Sequence, residues 1–301
     1  MKIGSSVLQW GLGIDEATRA TWDGRVWNIT LREAVHEISK LGYPGFDCTE
    51  GDLVPFRTRV GEVRKMTADN NIQFVSVWNT LLPKKLAPSE KVRINPRLPM
   101  NDPRQFTKIC VKEVAPEAVR KDLREKLRFL DMVDKMGGEV LTYGGPFIAR
   151  EDVRDQSYRL IGEMLNELGE ELKKRGMRLA YHVHLSTLLQ DSTDVEKLYA
   201  YADKRLVGLC LDTAHLTAAG EDISRFIGDY SDRIAHVHLK DERGGRFVEL
   251  GTGTIDIAGT IKTLRSIGYR HWGMVELDVP NGLPLDSAKV SKKYLDAIAR
   301  R

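Results

Sequence analysis

Short apolar runs alternate along this chain with longer stretches whose apolar residues recur every three or four positions. KIGSSVL (2–8) reads as a strand. Thr30 then opens a helix. Glu33 follows at capping-box spacing, Leu31, Val35, Ile38 and Leu41 form an apolar face, and Gly42 ends it. The same rhythm predicts strands over 42–50, 71–78, 139–145, 177–185, 206–212, 233–241 and 272–278. It predicts helices over about 57–69, 116–136, 153–175, 193–203, 221–230, 256–267 and 285–300. Eight strands alternating with helices imply parallel strands joined by right-handed crossovers. The expected fold is α/β, a single (β/α)8 TIM barrel over 1–301. A doubly wound sheet fits less well, because no GxGxxG follows the first strand and polar residues gather at the ends of several different strands.

One stretch breaks the rhythm. Residues 83–113 hold five of the eleven prolines and eight Lys/Arg against three Asp/Glu. A segment of that length without periodicity, set after the third strand, reads as an inserted lid or as an arm that docks a partner subunit or a second copy of the chain.

Composition narrows the classes. Charged residues make up 30% and hydrophobic residues 42%, ordinary for a globular chain, and the net charge of +3 argues for neither nucleic acid nor a membrane. No apolar run reaches the roughly 18–20 residues that span a bilayer. MKIGSSVLQWG lacks the apolar stretch and cleavage site of a signal peptide. Cys48, Cys110 and Cys210 are odd in number and far apart, which fits a reducing compartment, and a cytoplasmic protein is expected.

In a barrel the active site is built at the carboxyl ends of the strands. Those ends carry Glu50, Trp78-Asn79, Thr142-Tyr143, His182 and His184, then Asp212 with His215 three residues on, then His236, His238, Lys240 and Asp241, and finally Glu276 and Asp278. Five of the seven histidines stand there, four of them in two copies of His-Val-His-Leu at 182–185 and 236–239. Residues i and i+2 of a strand share a face about 6.5 Å apart. His182 and His184 therefore point one way, as do His236 and His238, while Leu179, Tyr181 and Val183 face the helices. A lone strand histidine is more often a hydrogen-bonded core residue, but histidines clustered with carboxylates suit a divalent metal with mixed nitrogen and oxygen ligands. Mn²⁺ is expected foremost, with Co²⁺, Mg²⁺ or Zn²⁺ as alternatives. Such an ion polarises a carbonyl and stabilises an enediolate while a nearby base removes the adjacent proton, chemistry shared by isomerases, epimerases and dehydratases.

LDTAHL (211–216), HVHLKD (236–241) and MVELD (274–278) resemble the xylose-isomerase-like barrel superfamily, which includes sugar isomerases and epimerases, inosose dehydratases and class II AP endonucleases. SKLGYPGFDCTEGD (39–52) is similar to its early helix–strand unit, and the resemblance spans most of the chain outside 83–113. It implies one metal held by Asp212, His238 and Glu276, with His182 at the position where the superfamily has a fifth-strand glutamate. In ketose 3-epimerases that glutamate is also one of two bases. YHVHLST (181–187) is instead similar to the His-rich strand of inosose dehydratases. The implied roles are His182 as fourth ligand or base, His184 as acid or base, and Glu276 as both ligand and catalytic group. His215, His236 and Lys240 contact substrate, and Glu50 and Trp78 line its pocket; a solvated Lys240 and a structural Trp78 are the competing readings. The implied activity is a metal-dependent dehydratase or β-eliminating lyase on a keto-sugar, keto-inositol or keto-glycoside, with a ketose isomerase or 3-epimerase as alternative. An AP endonuclease-like hydrolase is disfavoured, since the second and third strands end in Glu50 and Asn79 where those enzymes carry zinc-binding histidines. An amidohydrolase is disfavoured because the first strand holds no His-x-His. A non-catalytic subunit docking through 83–113 is the remaining alternative.

Overall fold

The computed structural model describes residues 1–13, 19–20, 25–81, 98–99, 102–106 and 109–300. Eight strands close into a parallel barrel: β1 (Lys2–Ser6), β2 (Gly45–Thr49), β3 (Gln73–Leu81), β4 (Val140–Pro146), β5 (Arg178–His182), β6 (Val207–Asp212), β7 (Ile234–Leu239) and β8 (Trp272–Val275). They are neighbours in chain order, and β1 pairs with both β2 and β8 to close the ring. The expected α/β TIM barrel is thus the fold. Most of the insertion expected over 83–113 lies outside the described residues.

The helices follow the apolar periodicity: α1 (Leu31–Lys40), α2 (Glu50–Leu53), α3 (Val60–Asp69), α4 (Pro116–Met136), α5 (Asp155–Lys174), α6 (Ser192–Tyr199), α7 (Thr213–Ala218), α8 (Ile223–Asp229), α9 (Ile257–Ser266) and α10 (Pro284–Ala299). At α1 the capping box forms: Glu33 N donates to Thr30 Oγ1 at 3.2 Å and Thr30 N to Glu33 Oε2 at 2.7 Å. Two features escape the periodicity. Residues after Asp212 turn at once into the short α7, and the Gly-rich stretch after β7 contains a hairpin, Asp241–Arg243 with Arg246–Val248. Asp241, buried, holds the loop beyond that hairpin by accepting from Gly251 N, Gly253 N and Ile255 N at 3.0–3.1 Å.

The outward residues of the strands, among them Phe46, Val77, Leu141, Leu179 and Val237, pack under the helices in the main core. Burying each such side chain stabilises the fold by about 1.5–3 kcal/mol. Inside the barrel Val75, Trp272 and Met274 pack as one apolar cluster, and Val140, Ala180 and Cys210 as another.

Strict alternation fails at two places that matter for the site. Between Phe46 and Asp47 the β2–β3 register slips from Phe74 to Ser76, so Val75 is an extra residue. Val75 packs inside with Met274, and Ser76 beside it also faces inward, toward His236. A second slip between Ile234 and His236 makes Ala235 the extra residue on β7. There a Cβ on Gly208 would lie only 2.4 Å from that of Ala235, so the close approach of β6 and β7 requires glycine.

Candidate metal centre

Asp212 ends β6 and caps α7. Its Oδ1 accepts from Ala214 N and His215 N, both at 2.9 Å, which leaves Oδ2 for the barrel mouth. Oδ2 lies 3.4 Å from His182 Nε2, 3.4 Å from Lys240 Nζ and 3.8 Å from His238 Nδ1. Glu276 follows β8 and splits its carboxylate in the same way: Oε1 accepts from Lys240 Nζ at 2.9 Å, and Oε2 touches His238 Nδ1. One donor atom each from Asp212, His238 and Glu276 falls within 4.8 Å of the others; His182, Asp212 and His215 form a second such group. Asp212 and His238 are register partners across β6 and β7, so this proximity follows from the sheet itself.

The donor chemistry fits a divalent ion. His182 Nδ1 and His238 Nε2 are buried without a hydrogen bond, while His238 Nδ1 is pressed against the Glu276 carboxylate. Buried polar atoms without partners need an explanation, and a cation between imidazoles and carboxylates supplies one. The protonation states of the two carboxylates and of His182 suit such an ion. Burial opposes ionisation of Asp212, but Lys240 and His182 outweigh it and hold its pKa below the usual range. At Glu276 burial is likewise outweighed, by His238 and Lys240, and the shift is well downward. Burial keeps His182 neutral against the pull of Asp212. Burial also opposes charge on His238, but the Cys210 sulfur and the Glu276 carboxylate outweigh it and raise its pKa well above the usual imidazole value, so an ion bound there competes with a proton on the ring.

Around this cluster stand the other residues expected at the site. Ring centroids of His182 lie 4.6 Å from His238 and 5.3 Å from His184. His184 stacks on His215 at 3.7 Å. Its Nδ1 is 2.6 Å from Leu185 O, and since a carbonyl only accepts, Nδ1 carries the proton and Nε2 the lone pair. Burial first, then the neighbouring His182 and Lys240, push His184 down to about 3. Phe106, Phe147 and Phe247 pack edge-on against the stacked pair. Phe106 and Ile109, described residues of the 83–113 stretch, belong to this apolar collar.

Lys240 is not a solvated loop residue. It is fully buried, its Nζ donates to Glu276 Oε1 and Asp278 Oδ2 at 2.9 Å each, and it lies 3.5 Å from His215 Nε2. Burial works against its charge, but Asp212, Asp278 and Glu276 raise its pKa well above the usual lysine value. His236 sits lower in the barrel, 3.1 Å from Ser76 Oγ, and burial brings it down to about 4 despite Asp47. Trp78 lines the cavity with His182, His184, His238 and Glu276, its ring against Gly144, where a Cβ would come within 3.0 Å. Glu50 stands apart as the first residue of α2, bonded to Asn79 and, at 3.5 Å, to Arg57.

Sequence reasoning missed Asp47 and Ser76 and gave Asp278 and Cys210 no role. Asp47 carried a signal: it is the one charged residue in the buried strand GFDCT, and a buried carboxylate requires partners. Ser76 carried none, because the bulge at Val75 sets its direction.

A closed parallel barrel with a buried imidazole–carboxylate cluster at the carboxyl ends of its strands defines the class of barrels that work from their strand ends. More narrowly, the chain belongs to the xylose isomerase-like TIM barrel family, whose model matches residues 35–298. An inosose dehydratase of Clostridium botulinum is 25% identical over 301 residues, covering 88% of this chain and 89% of that one. An inosose dehydratase of Clostridium beijerinckii is 31% identical over 162 residues, 47% of this chain and 54% of that one. In that match the chain spans about half the length of its relative. A solved L-ribulose 3-epimerase superposes with a TM-score of 0.73 over 100% of this chain and 95% of that one. At 15% identity this likeness is one of fold. Among the described residues no helix is long and apolar enough to cross a membrane.

Proposed function

We propose that this chain is a divalent-metal-dependent lyase that removes the proton beside a carbonyl of a keto-inositol, keto-sugar or keto-glycoside and expels a β-hydroxyl or comparable leaving group. The observation that carries the reading is the convergence of Asp212, His238 and Glu276 donor atoms within 4.8 Å, beside a cavity that His238 and Glu276 line together with His182 and His184. Asp212, His238 and Glu276 hold the ion, Mn²⁺ foremost, with His182 as fourth donor. Bound there, the ion supplies Lewis acidity toward the substrate carbonyl.

The chain's residues do the rest. His184, neutral and with its Nε2 lone pair free of the Leu185 contact, takes the proton beside the carbonyl and returns it to the departing oxygen. His182, next to it, orients the adjacent hydroxyl. Trp78 offers its flat face to the ring, and the collar of Phe106, Phe147 and Phe247 excludes water. A histidine rather than a glutamate at position 182, together with relatives named inosose dehydratase, favours elimination over two-base epimerisation.

The test is a screen of keto-inositols and keto-sugars in D₂O with metal-loaded protein. Loss of water with formation of an unsaturated or diketone product supports the lyase. Deuterium exchange with inversion and no loss of water moves the assignment to epimerase. Protein that binds no divalent metal, and turnover indifferent to chelator, overturn the metal reading altogether.

A further inference from the structure

Asp47 has no place in the function just proposed, yet it is buried at 4% exposure inside the barrel and faces three groups able to donate to it. Its Oδ2 lies 3.4 Å from Ser76 Oγ, 3.7 Å from His238 Nε2 and 4.0 Å from His236 Nε2. His238 therefore stands between two sets of carboxylates. Its Nδ1 faces Glu276 and Asp212, and its Nε2 faces Asp47. One imidazole nitrogen can bind a cation only as a lone pair, and its other nitrogen then carries a proton that needs an acceptor.

The groups around Asp47 fix which of them donates where. Ser76 has one hydroxyl hydrogen, and its Oγ donates to Asp47 Oδ2. His236 Nε2, 3.1 Å from Ser76 Oγ, must then be the protonated nitrogen and donate to that oxygen. The result is a hydrogen-bonded run across three strands, His236 on β7 to Ser76 on β3 and Ser76 to Asp47 on β2, which leaves Asp47 Oδ2 facing His238 Nε2 on β7 at 3.7 Å, just beyond hydrogen-bond length. Both bulges serve it, since Val75 turns Ser76 inward and Ala235 sets the phase of His236 and His238.

We propose that Asp47 is a positioning residue for His238: with Nδ1 on the ion, the Nε2 proton is directed at Asp47, which favours the tautomer whose Nδ1 lone pair faces Asp212 and Glu276 and is itself held by Ser76 and His236. Carboxylates in this relation to a ligand histidine orient the ring and raise its basicity. The inference rests on the reading of Asp212, His238 and Glu276 as a metal-binding set. It also assigns His236, the first histidine of the second His-Val-His-Leu, to support beneath the site rather than to substrate.

The experiment titrates Mn²⁺ into full-length wild type, Asp47→Asn and Ser76→Ala by calorimetry and records visible spectra of the Co²⁺ forms, with melting temperatures of the metal-free proteins as the fold control. Asp47→Asn is expected to keep one ion per chain, bind it about 10–100-fold more weakly and shift the Co²⁺ bands. Ser76→Ala is expected to weaken binding a few-fold through the same carboxylate, and it carries the test if Asp47→Asn does not fold. Unchanged affinity and spectra in a folded variant overturn the inference while leaving the metal reading intact. Two ions in the wild type falling to one in Asp47→Asn make Asp47 a ligand of a second ion and also overturn it. A wild type that binds no ion overturns the metal reading, a failure distinct from both.

Discussion

The two His-Val-His-Leu copies are identical in sequence and unlike in place. In the second, both histidines lie within β7, His236 against Ser76 and His238 between carboxylates on either side. In the first, β5 ends at His182, and the chain then turns: His184 bonds back to Leu185 O, and Ser186 adopts a left-handed φ of 61°. Both leading histidines, His182 and His236, register with Cys210, one on each side of β6. The copies part company in what lies beneath and after them. The second has Asp47 and Ser76 below it and Lys240 directly after it; at the corresponding position after the first copy stands Ser186. A repeated motif on a barrel therefore need not repeat a role.

The largest effect is expected from alanine at the second copy's distal histidine. His238→Ala should weaken Mn²⁺ binding by more than the roughly 100-fold of an outer-sphere change, and turnover should fall with it. Retention of both metal and turnover would remove His238 from the ligand set. The first copy should behave differently. His182→Gln, which removes the fourth donor and leaves three, is expected to keep one ion per chain, held more weakly, while kcat drops by about 10²–10⁴-fold, as when a positioned acid–base or orienting group is lost. Complete loss of metal in that variant would make the two copies equivalent after all. Next in size is the residue that follows the second copy. Lys240→Met leaves Glu276, Asp278 and Asp212 without their buried countercharge and should cost about 3–5 kcal/mol of stability by urea unfolding of the metal-free protein. A loss below about 1 kcal/mol would mean that water already screens those carboxylates. The smallest effect is expected at His236→Gln, which removes one hydrogen bond to Ser76 and should cost about 1 kcal/mol with turnover largely kept. A collapse of substrate binding there would return His236 to direct contact.

Much of the fold was legible along the chain. The capping pair Thr30 and Glu33 marked α1, and alternating strand and helix periods implied a parallel barrel. Asp212, His215, His238, Lys240 and Glu276 were legible as candidates because they stand at strand ends, where such a barrel gathers its chemistry. What could not be read was direction and depth. Lys240 follows its strand by one residue, and sequence left open whether it reached water or the three carboxylates that surround it. Glu50 also ends a strand run, yet the turn into α2 carries it to Asn79 and Arg57.

The sequence by itself determined the order of strands and helices, the capping of α1 and the identity of the donors, because periodicity, propensity and residue chemistry are local properties. Only the tertiary structure decided which donors meet. Barrel closure sets Asp47 on β2 opposite His238 on β7, and the one-residue bulges at Val75 and Ala235 reset the inward phase of Ser76 and His236. Those are matters of register between neighbouring strands, which a two-residue alternation read along one strand does not contain.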